Sequence, residues 1–477
     1  MSTSIWRKKP VAAYQAEAAK SGLNRVLTRW GLTSLGIGAI IGGGIFTLTG
    51  IAAHNHAGPA LALAFVIAGI GCLFASLCYA EFASVLPVEG SAYAYAYGTI
   101  GEIFAWFIGW NLVLEYMMGA TTVAVAWSGY FNKLLHLFHI NLPENLVNDP
   151  VTFGGPAFNL PAFIITWVIT AILVQGIKEA ASSNNIIVIV KSAVVLFVIF
   201  VGSFYVDTNN WHPFIPAEVT DADGTVHFGV GGVLTAATIV FFAYIGFDAV
   251  STQAGEAINP KKDVPFAIIA SLVICTILYI AVSLVLTGMV PYNELDLKAP
   301  VASAFSGAGI NWATYLITIA ATAGLMSVML VMMLGQTRIF LGMAKDGLLP
   351  KNVFGALHPK FKTPYKSTIL VGFIVSLVAA LTPIDRVSEM CSMGTLLAFS
   401  MVCIAVLVLR VKQPDLERPY KTPWVYVIAP MGALFNFFLM TQVRENTWYA
   451  FLIWGTIGII VYFLYSRRKS NLNNTSE

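Results

Sequence analysis

Long apolar stretches separated by short polar connections run through the whole chain. Each stretch is long enough to cross about 30 Å of hydrocarbon as an α-helix. A large soluble enzyme with a buried core would have shorter apolar stretches, with more charge between them. The pattern predicts twelve transmembrane helices, at residues 31–53, 59–81, 102–131, 160–177, 185–206, 230–255, 265–290, 311–341, 367–382, 387–410, 424–442 and 447–466.

Positive charge is divided unevenly between the two sides of this predicted bundle. If the N-terminus lies inside, most of the 27 lysines and arginines fall in cytoplasmic tails and loops. The exterior then receives only Lys133, Lys298, Arg386 and Arg444. Cytoplasmic loops of membrane proteins are enriched in Lys and Arg. The asymmetry therefore predicts a multi-pass protein of the cell membrane with both termini in the cytoplasm.

Composition narrows the class of protein further. Charged residues make up 11% of the chain, whereas soluble domains average about 25%. The formal net charge of +3 is too small to indicate nucleic-acid binding, and the five cysteines lie in apolar runs without metal-ligand spacing. The chain also lacks a zinc-ligand cluster, a nucleophile elbow and a phosphate loop. We therefore expect neither an enzyme nor a bound metal or cofactor.

Two of the predicted helices contain sequences that disfavour a continuous helix. The first holds Gly36, Gly38 and a glycine triplet at residues 42–44, and each glycine costs about 1 kcal/mol relative to alanine. The sixth holds the run Phe-Ala-Tyr-Ile-Gly-Phe-Asp at residues 242–248. Helix breaks at corresponding positions are typical of inverted repeats in secondary transporters. The alternative is that these small residues only allow close helix packing.

Such breaks would expose backbone groups that suit the two ends of an amino acid. N–H groups at the start of the outer half-helix favour a carboxylate, through the helix dipole and through hydrogen bonds. Carbonyl groups left unpaired in both breaks would accept an α-ammonium group. The predicted substrate-binding residues are Ile40, Ile41, Gly42, Gly43, Gly44, Phe242, Ala243 and Ile245, with Tyr116, Met117 and Met326 as further apolar lining.

Lys191 is a charged residue well inside the fifth predicted helix. A charge at such a depth is costly and usually faces the protein interior. We expect Lys191 to lose and regain a proton during transport, and its ammonium to lie where a sodium ion could otherwise bind. The alternative is a side chain that snorkels to the membrane interface.

Several acidic residues lie in or beside the predicted helices. Glu115, near the middle of the third helix, would join a proton path, contact a cationic substrate or be a neutral packing residue. Asp248 would steady the unwound part of the sixth helix. Glu81 and Glu102 border the inner surface, where we expect them to be solvated.

A set of motifs resembles the amino acid–polyamine–organocation superfamily of transporters. The motifs are residues 38–46 in the first helix, 79–83 with Pro87 and 90–95 at the second-to-third connection, 246–248 and 255–260 around the sixth helix, and 336–338 with 343–347 at the end of the eighth. Arg25, Gly101 with Glu102, and residues 109–111 are similar to the bacterial members of the cationic amino acid transporter branch.

The resemblance implies an all-α integral membrane protein with a leucine-transporter-type fold. Helices 1–5, at residues 31–206, and helices 6–10, at residues 230–410, would form inverted repeats joined by an extracellular loop at residues 207–229. Two further helices would occupy residues 411–466. Residues 1–30 and 467–477 would be the cytoplasmic tails.

The resemblance also implies proton-coupled uptake of L-amino acids by alternating access. In proton-coupled relatives, a lysine at the position of Lys191 is thought to replace the sodium site. Small neutral substrates such as alanine are expected. Transport of cationic amino acids is left as an open alternative. An amino acid or amine exchanger is the first alternative, and a transporter-like membrane sensor is the second. The expected partners are the substrate and the lipid bilayer, without nucleic acid, and protein partners are left open.

Overall fold

The computed structural model describes residues 7–9, 27–85, 91–176, 180–220, 226–252 and 257–473. Most of the predicted N-terminal tail lies outside these residues, as do Arg25, Pro87, Gly90 and Gly255 of the motifs. The helices of the described part are α1 (Arg29–Ile40), α2 (Thr49–Ala52), α3 (Leu61–Val85), α4 (Ser91–Thr99), α5 (Glu102–Leu137), α6 (Pro150–Phe153), α7 (Leu160–Gln175), α8 (Ala180–Gly202), α9 (Gly229–Phe241), α10 (Ala249–Thr252), α11 (Pro260–Met289), α12 (Pro300–Gly307), α13 (Asn311–Lys345), α14 (Lys351–Phe354), α15 (Tyr365–Leu381), α16 (Ile384–Lys412), α17 (Val425–Thr441), α18 (Glu445–Val461) and α19 (Arg467–Lys469).

Eight helical segments of the described residues are long and apolar enough to cross a membrane. The longest runs from Gly44 to Val85 and covers parts of the first two predicted stretches. Three shorter apolar helices, α7, α15 and α17, have 16, 17 and 17 residues. These helices confirm an all-α membrane protein, whereas the count of twelve crossings stays a prediction.

The long helix α5 lies at the centre of one group of helices, in contact with α13 and α16. A second group forms where α3 packs against α11, and α1 packs against both α11 and α8. Helix α8 also contacts α13, so it joins the two groups. This arrangement places α1 beside α8. One face of α8 is exposed, at Ile189 and Phe200, whereas Lys191 on the other face is buried where the candidate site lies.

A two-stranded hairpin occupies part of the predicted loop at residues 207–229. Strand β1 (Val219–Thr220) pairs antiparallel with β2 (Val226–His227), with Val219 opposite His227. The His227 ring stacks on His56 with 5.1 Å between ring centroids. The hairpin is therefore tied to the outer end of the first helical segment, an arrangement that the sequence analysis did not predict.

The prediction that Glu81 is solvated is wrong, because its side chain is fully buried. Arg410 donates from Nε to Oε1 at 2.7 Å and from Nη2 to Oε2 at 2.8 Å, and the Thr422 N–H donates to Oε2 at 2.8 Å. Burying a carboxylate is costly unless a cation and hydrogen bonds compensate it. Arg410 near the end of α16 supplies the cation, and Thr422 in the segment that follows α16 supplies a further hydrogen bond.

The same prediction is wrong for Glu102, which is also fully buried. Its carboxylate accepts hydrogen bonds from Arg7 Nη2 at 3.1 Å, from the hydroxyls of Tyr97 and Tyr462 at 3.2 Å, and from Ser470 Oγ. Residues near both ends of the chain thus meet at one carboxylate. No local sequence pattern indicates that these distant residues lie beside the start of α5.

Candidate substrate and coupling site

The predicted break in the first helix is confirmed. Helix α1 ends at Ile40, and Ile41 has an extended backbone with φ −70° and ψ 106°. Helical structure resumes with a π-helical turn at Gly44–Leu48, and within the described part of the chain no side chain caps its N-terminus. The first N–H groups of a helix have no intrahelical acceptor. The outer segment therefore begins with backbone donors in the protein interior.

The predicted break in the sixth helix is confirmed as well. Helix α9 ends at Phe241 and is followed by a 3₁₀ turn at Phe242–Tyr244. Ile245 is extended, with ψ 130°, and Gly246 has φ +122°. A side chain at such a positive φ is strained, so Gly246 supplies a conformation that other residues rarely adopt. The chain re-enters a helix only at α10.

The two breaks touch each other through their backbones. A Cβ atom on Gly44 would lie 2.3 Å from Ala243 Cα, and one on Gly246 would lie 2.8 Å from Ala39 O. Both glycines therefore allow a crossing that any side chain would obstruct. Close packing also explains Gly38, where an added Cβ would lie 2.5 Å from Val188. The glycines of these segments therefore serve both in the helix breaks and in close helix packing.

Lys191 is fully buried in α8 and lies against the first break. Its Nζ donates to the carbonyl oxygens of Gly38 and, at 2.9 Å, of Ile41. The alkyl stem packs on α13, where a Cβ on Gly324 would lie 3.4 Å from Lys191 Cβ. The last carbonyls of a helix lack intrahelical donors and carry partial negative charge, which favours a cation. The predicted interior position is confirmed, and snorkelling to the interface is excluded.

Tyr279 of α11 joins the two breaks and was missed by the sequence analysis. Its hydroxyl oxygen lies 2.9 Å from Ile40 O and 3.0 Å from Ala243 O, so the O–H group can donate to either. The ring is fully buried beside Tyr244. The chain contains 18 tyrosines, and nothing in the local sequence of Tyr279 distinguishes it from the others.

The backbone carbonyls predicted to bind substrate lie together around this crossing. Ile41 O accepts from Lys191, and Ile40 O and Ala243 O are within reach of Tyr279. Phe242 O accepts from the Ile245 N–H at 3.1 Å. A carbonyl oxygen has two lone pairs, so these contacts leave acceptor capacity for an ammonium group. Their role in substrate binding stays a prediction.

Glu115 and Asp248 form a second buried polar group beside the site. Each side chain is 1% exposed, and their charges are close enough to interact. No donor lies in ideal hydrogen-bond geometry to the Glu115 carboxyl oxygens or to Asp248 Oδ2 among the described residues. The Thr395 hydroxyl is nevertheless close enough to Glu115 to interact with it. The Asp248 main chain steadies the break, because its carbonyl accepts from Ser251 N at 2.9 Å and from Ser251 Oγ at 2.6 Å.

Comparison with known proteins places the chain among transporters. A family model described as amino acid permease matches residues 27–464. The branched-chain amino acid permease BcaP of Bacillus subtilis (strain 168) is 47% identical over 477 residues, which is 99% of this chain and 100% of that protein. The methylthioribose transporter of the same strain is 43% identical over 471 residues, again 99% and 100% of the two chains.

Eukaryotic relatives are longer than this chain. The vacuolar cationic amino acid transporter 2 of Arabidopsis thaliana is 39% identical over 419 residues, which is 87% of this chain and 64% of the plant protein. The family model and these relatives agree with the superfamily that the motifs indicated. The chain therefore belongs to the amino acid permease family of the amino acid–polyamine–organocation superfamily, and it is a transporter rather than an enzyme.

Proposed function

We propose that this protein carries L-amino acids into the cell by proton-coupled symport and alternating access. Small neutral amino acids such as alanine are the proposed substrates, and cationic ones are the alternative. The observation that carries the proposal is the Lys191 ammonium bound to the Gly38 and Ile41 carbonyls at the helix break. A proton-binding group thus contacts the segment that would hold the substrate.

The proposed architecture has twelve crossings of the plasma membrane, with both termini in the cytoplasm. Two inverted repeats of five helices would be followed by two further helices. The breaks between α1 and Gly44 and between α9 and α10 support this arrangement, because they fall at the start of each repeat. The excess of basic residues in the predicted inner loops supports the orientation.

The substrate would be held mainly by backbone groups. Its carboxylate would bind the N–H groups of Gly42, Gly43 and Gly44 at the start of the outer segment. Its ammonium would share the carbonyl oxygens of the two breaks, which belong to Ile40, Ile41, Phe242, Ala243 and Ile245. This arrangement recognises the part common to all amino acids, and it needs no charged side chain in direct contact with the substrate.

Lys191 would couple the proton to the movement of α1. When charged, its ammonium interacts favourably with the carbonyl end of α1, through charge as well as hydrogen bonds. Loss of the proton removes the charge and weakens this contact, which frees α1 to move relative to α8. A cation held at this place would also exclude sodium. The proton is therefore the proposed coupling ion, and no other cofactor is required.

Glu115 is the second proposed proton-coupling residue. Its carboxyl oxygens are buried, and no cation is paired with them among the described residues. A carboxylate in such surroundings is costly. A carboxyl group that takes up and releases a proton avoids that cost in its neutral form. The nearby Asp248 strengthens this argument, because two neighbouring buried carboxylates would repel each other.

Exchange of internal for external substrate is the main alternative, and vesicle experiments distinguish it from symport. Purified protein in proteoliposomes without internal substrate is given labelled alanine, leucine or arginine under an inward proton gradient. Symport predicts accumulation that a protonophore abolishes. An exchanger would take up label only when the vesicles are preloaded with substrate. A transporter-like sensor would bind substrate without moving it. Methylthioribose is tested as a further candidate substrate, because one relative is named for it.

A further inference from the structure

One stripe of α5 faces the start of the outer segment, which is an uninterrupted helical run at residues 44–57. A Cβ atom on Gly43 would lie 3.8 Å from Val123 Cγ2. Further along both segments, the Tyr130 hydroxyl donates to Phe46 O at 2.7 Å. These two contacts show that the outer segment and this part of α5 run side by side in the same direction.

Trp127 lies in the same stripe, four positions after Val123 and three before Tyr130, because residues at these spacings share a helix face. It is 8% exposed, and its ring stacks on Phe131 with 4.7 Å between ring centroids. Side chains of an α-helix tilt towards its N-terminus, so the indole leans towards the level of Val123 and Gly43. The indole is therefore directed at the turn whose backbone donors would bind the substrate carboxylate.

The indole N–H of Trp127 is buried, and among the described residues no acceptor lies within hydrogen-bond reach of it. By contrast, the indole N–H groups of Trp106, Trp110 and Trp448 donate to backbone carbonyls at 2.9, 2.9 and 3.0 Å. A buried donor without an acceptor is destabilising. Its presence in a folded protein calls for a ligand or a water that accepts from it.

Thr47 supplies a second buried polar atom on the facing surface. It is 1% exposed, and its hydroxyl also lacks a partner within the described part of the chain. Thr47 lies four positions after Gly43, so both are on the face of the outer segment that is turned towards α5. Other helical threonines, such as Thr49 and Thr122, donate to the carbonyl four residues earlier at 2.8 Å. The Thr47 hydroxyl is instead available to a ligand.

We propose that the Trp127 indole N–H and the Thr47 hydroxyl are side-chain donors to the carboxylate of the transported amino acid. This inference rests on the proposed function and extends it from backbone recognition to two named side chains. Donors that converge on one place favour an anion, and hydrogen bonds to a charged acceptor are stronger than those to a neutral one. The two side chains would thus make the carboxylate, and not only the ammonium, a requirement for tight binding. A buried water is the alternative acceptor.

The test measures the affinity of the purified full-length protein for L-alanine, L-leucine and L-arginine, and for the amide of each, from the ligand-dependent shift of thermal unfolding. The amide keeps the α-ammonium group and replaces the carboxylate by a neutral group. Trp127→Phe keeps an aromatic ring beside Phe131 and removes the N–H. It should weaken amino-acid binding about 10- to 150-fold, since a hydrogen bond to a charged group contributes about 1.5–3 kcal/mol. Amide binding should weaken only about 2- to 12-fold.

A second variant and a control separate the lost hydrogen bond from the lost ring volume. Thr47→Val removes the hydroxyl with little change of shape, and it should also weaken amino-acid binding more than amide binding. The control Trp106→Phe removes an equally buried indole, whose N–H donates to Gly458 O. It should retain wild-type affinity and yet unfold at a lower temperature than Trp127→Phe, because it loses a hydrogen bond made within the protein.

Equal affinity of Trp127→Phe and wild type for the amino acids would overturn the proposal and assign the indole N–H to a buried water. Equal losses for an amino acid and its amide would also overturn it, because the effect would then follow from the ring and not from the carboxylate. Both outcomes leave the proposed function intact. If wild type binds none of the three amino acids, the proposed substrate class fails together with this inference.

Discussion

Replacing Gly44 by alanine tests whether the contact between the two helix breaks is as close as the structure indicates. The new Cβ would lie 2.3 Å from Ala243 Cα, 2.4 Å from Ala243 Cβ and 2.9 Å from Ala243 N. Two of these atoms belong to the backbone, so no side-chain rotation can relieve the clash. The breaks must move apart, or the helices must shift. Overpacking of this kind costs about 1–3 kcal/mol.

The neighbouring glycine provides a matched control. Gly43 has a right-handed helical backbone, with φ −56° and ψ −25°. A Cβ there would lie 3.5 Å from Ala126 Cβ, which is ordinary contact. Alanine favours helical conformations by about 1 kcal/mol over glycine. Gly43→Ala should therefore be neutral or stabilising, although the two positions are adjacent in the chain.

The assay compares the thermal unfolding midpoints of wild type, Gly43→Ala and Gly44→Ala in the same detergent. We expect Gly44→Ala to unfold at a clearly lower temperature and Gly43→Ala to match or exceed wild type. If transport requires the two breaks to meet, Gly44→Ala should also lower uptake by about 5- to 150-fold. Equal midpoints for the two variants would show that the two breaks are not in backbone contact. The geometry described for the candidate site would then be wrong.

Three further substitutions test other parts of the account. Tyr279→Phe removes the hydroxyl that reaches both breaks, and at about 0.5–1.5 kcal/mol for one hydrogen bond it should lower uptake about 2- to 12-fold. The control Tyr315→Phe removes an exposed hydroxyl bonded to one carbonyl and should leave uptake unchanged; equal uptake by both variants would refute the bridging role. Glu102→Gln leaves the partly buried Arg7 without its carboxylate and should destabilise the protein by up to about 3 kcal/mol. The control in thermal unfolding is Glu445→Gln, whose carboxylate accepts from an exposed tyrosine; matching midpoints would contradict the prediction. Glu115→Gln keeps the shape of the side chain and should preserve substrate exchange while reducing the effect of external pH on uptake, and an unchanged pH profile would make this residue a packing residue only.

The two helix breaks could be predicted from sequence because they depend on local chemistry. Glycines in succession disfavour a helix wherever they occur. In the sixth predicted helix, Gly246 is the residue type that can adopt the positive φ found at the break. The interior position of Lys191 followed from the cost of a charge in lipid. In each case, the relevant physical preference acts on a short stretch of chain.

The contacts that organise the site could not be predicted, because they join residues far apart in sequence. Tyr279 lies 239 positions from Ile40, whose carbonyl its hydroxyl reaches. Glu102 meets Ser470 across 368 positions. No periodicity or local motif indicates which tyrosine or which tail residue will be brought to a given carbonyl or carboxylate. The expectation of a solvated Glu102 failed for the same reason, since its partners lie outside its own helix.

Proton coupling through Lys191 is most directly tested by comparing driven uptake with counterflow in the same proteoliposomes. Wild type, Lys191→Ala and the exposed-lysine control Lys366→Ala are each supplied with labelled alanine, first under an inward proton gradient and then with internal alanine and no gradient. We predict that Lys191→Ala retains counterflow but no longer accumulates label from the gradient, whereas Lys366→Ala behaves as wild type does. Accumulation by Lys191→Ala to the wild-type level would contradict the account and make Lys191 a structural residue.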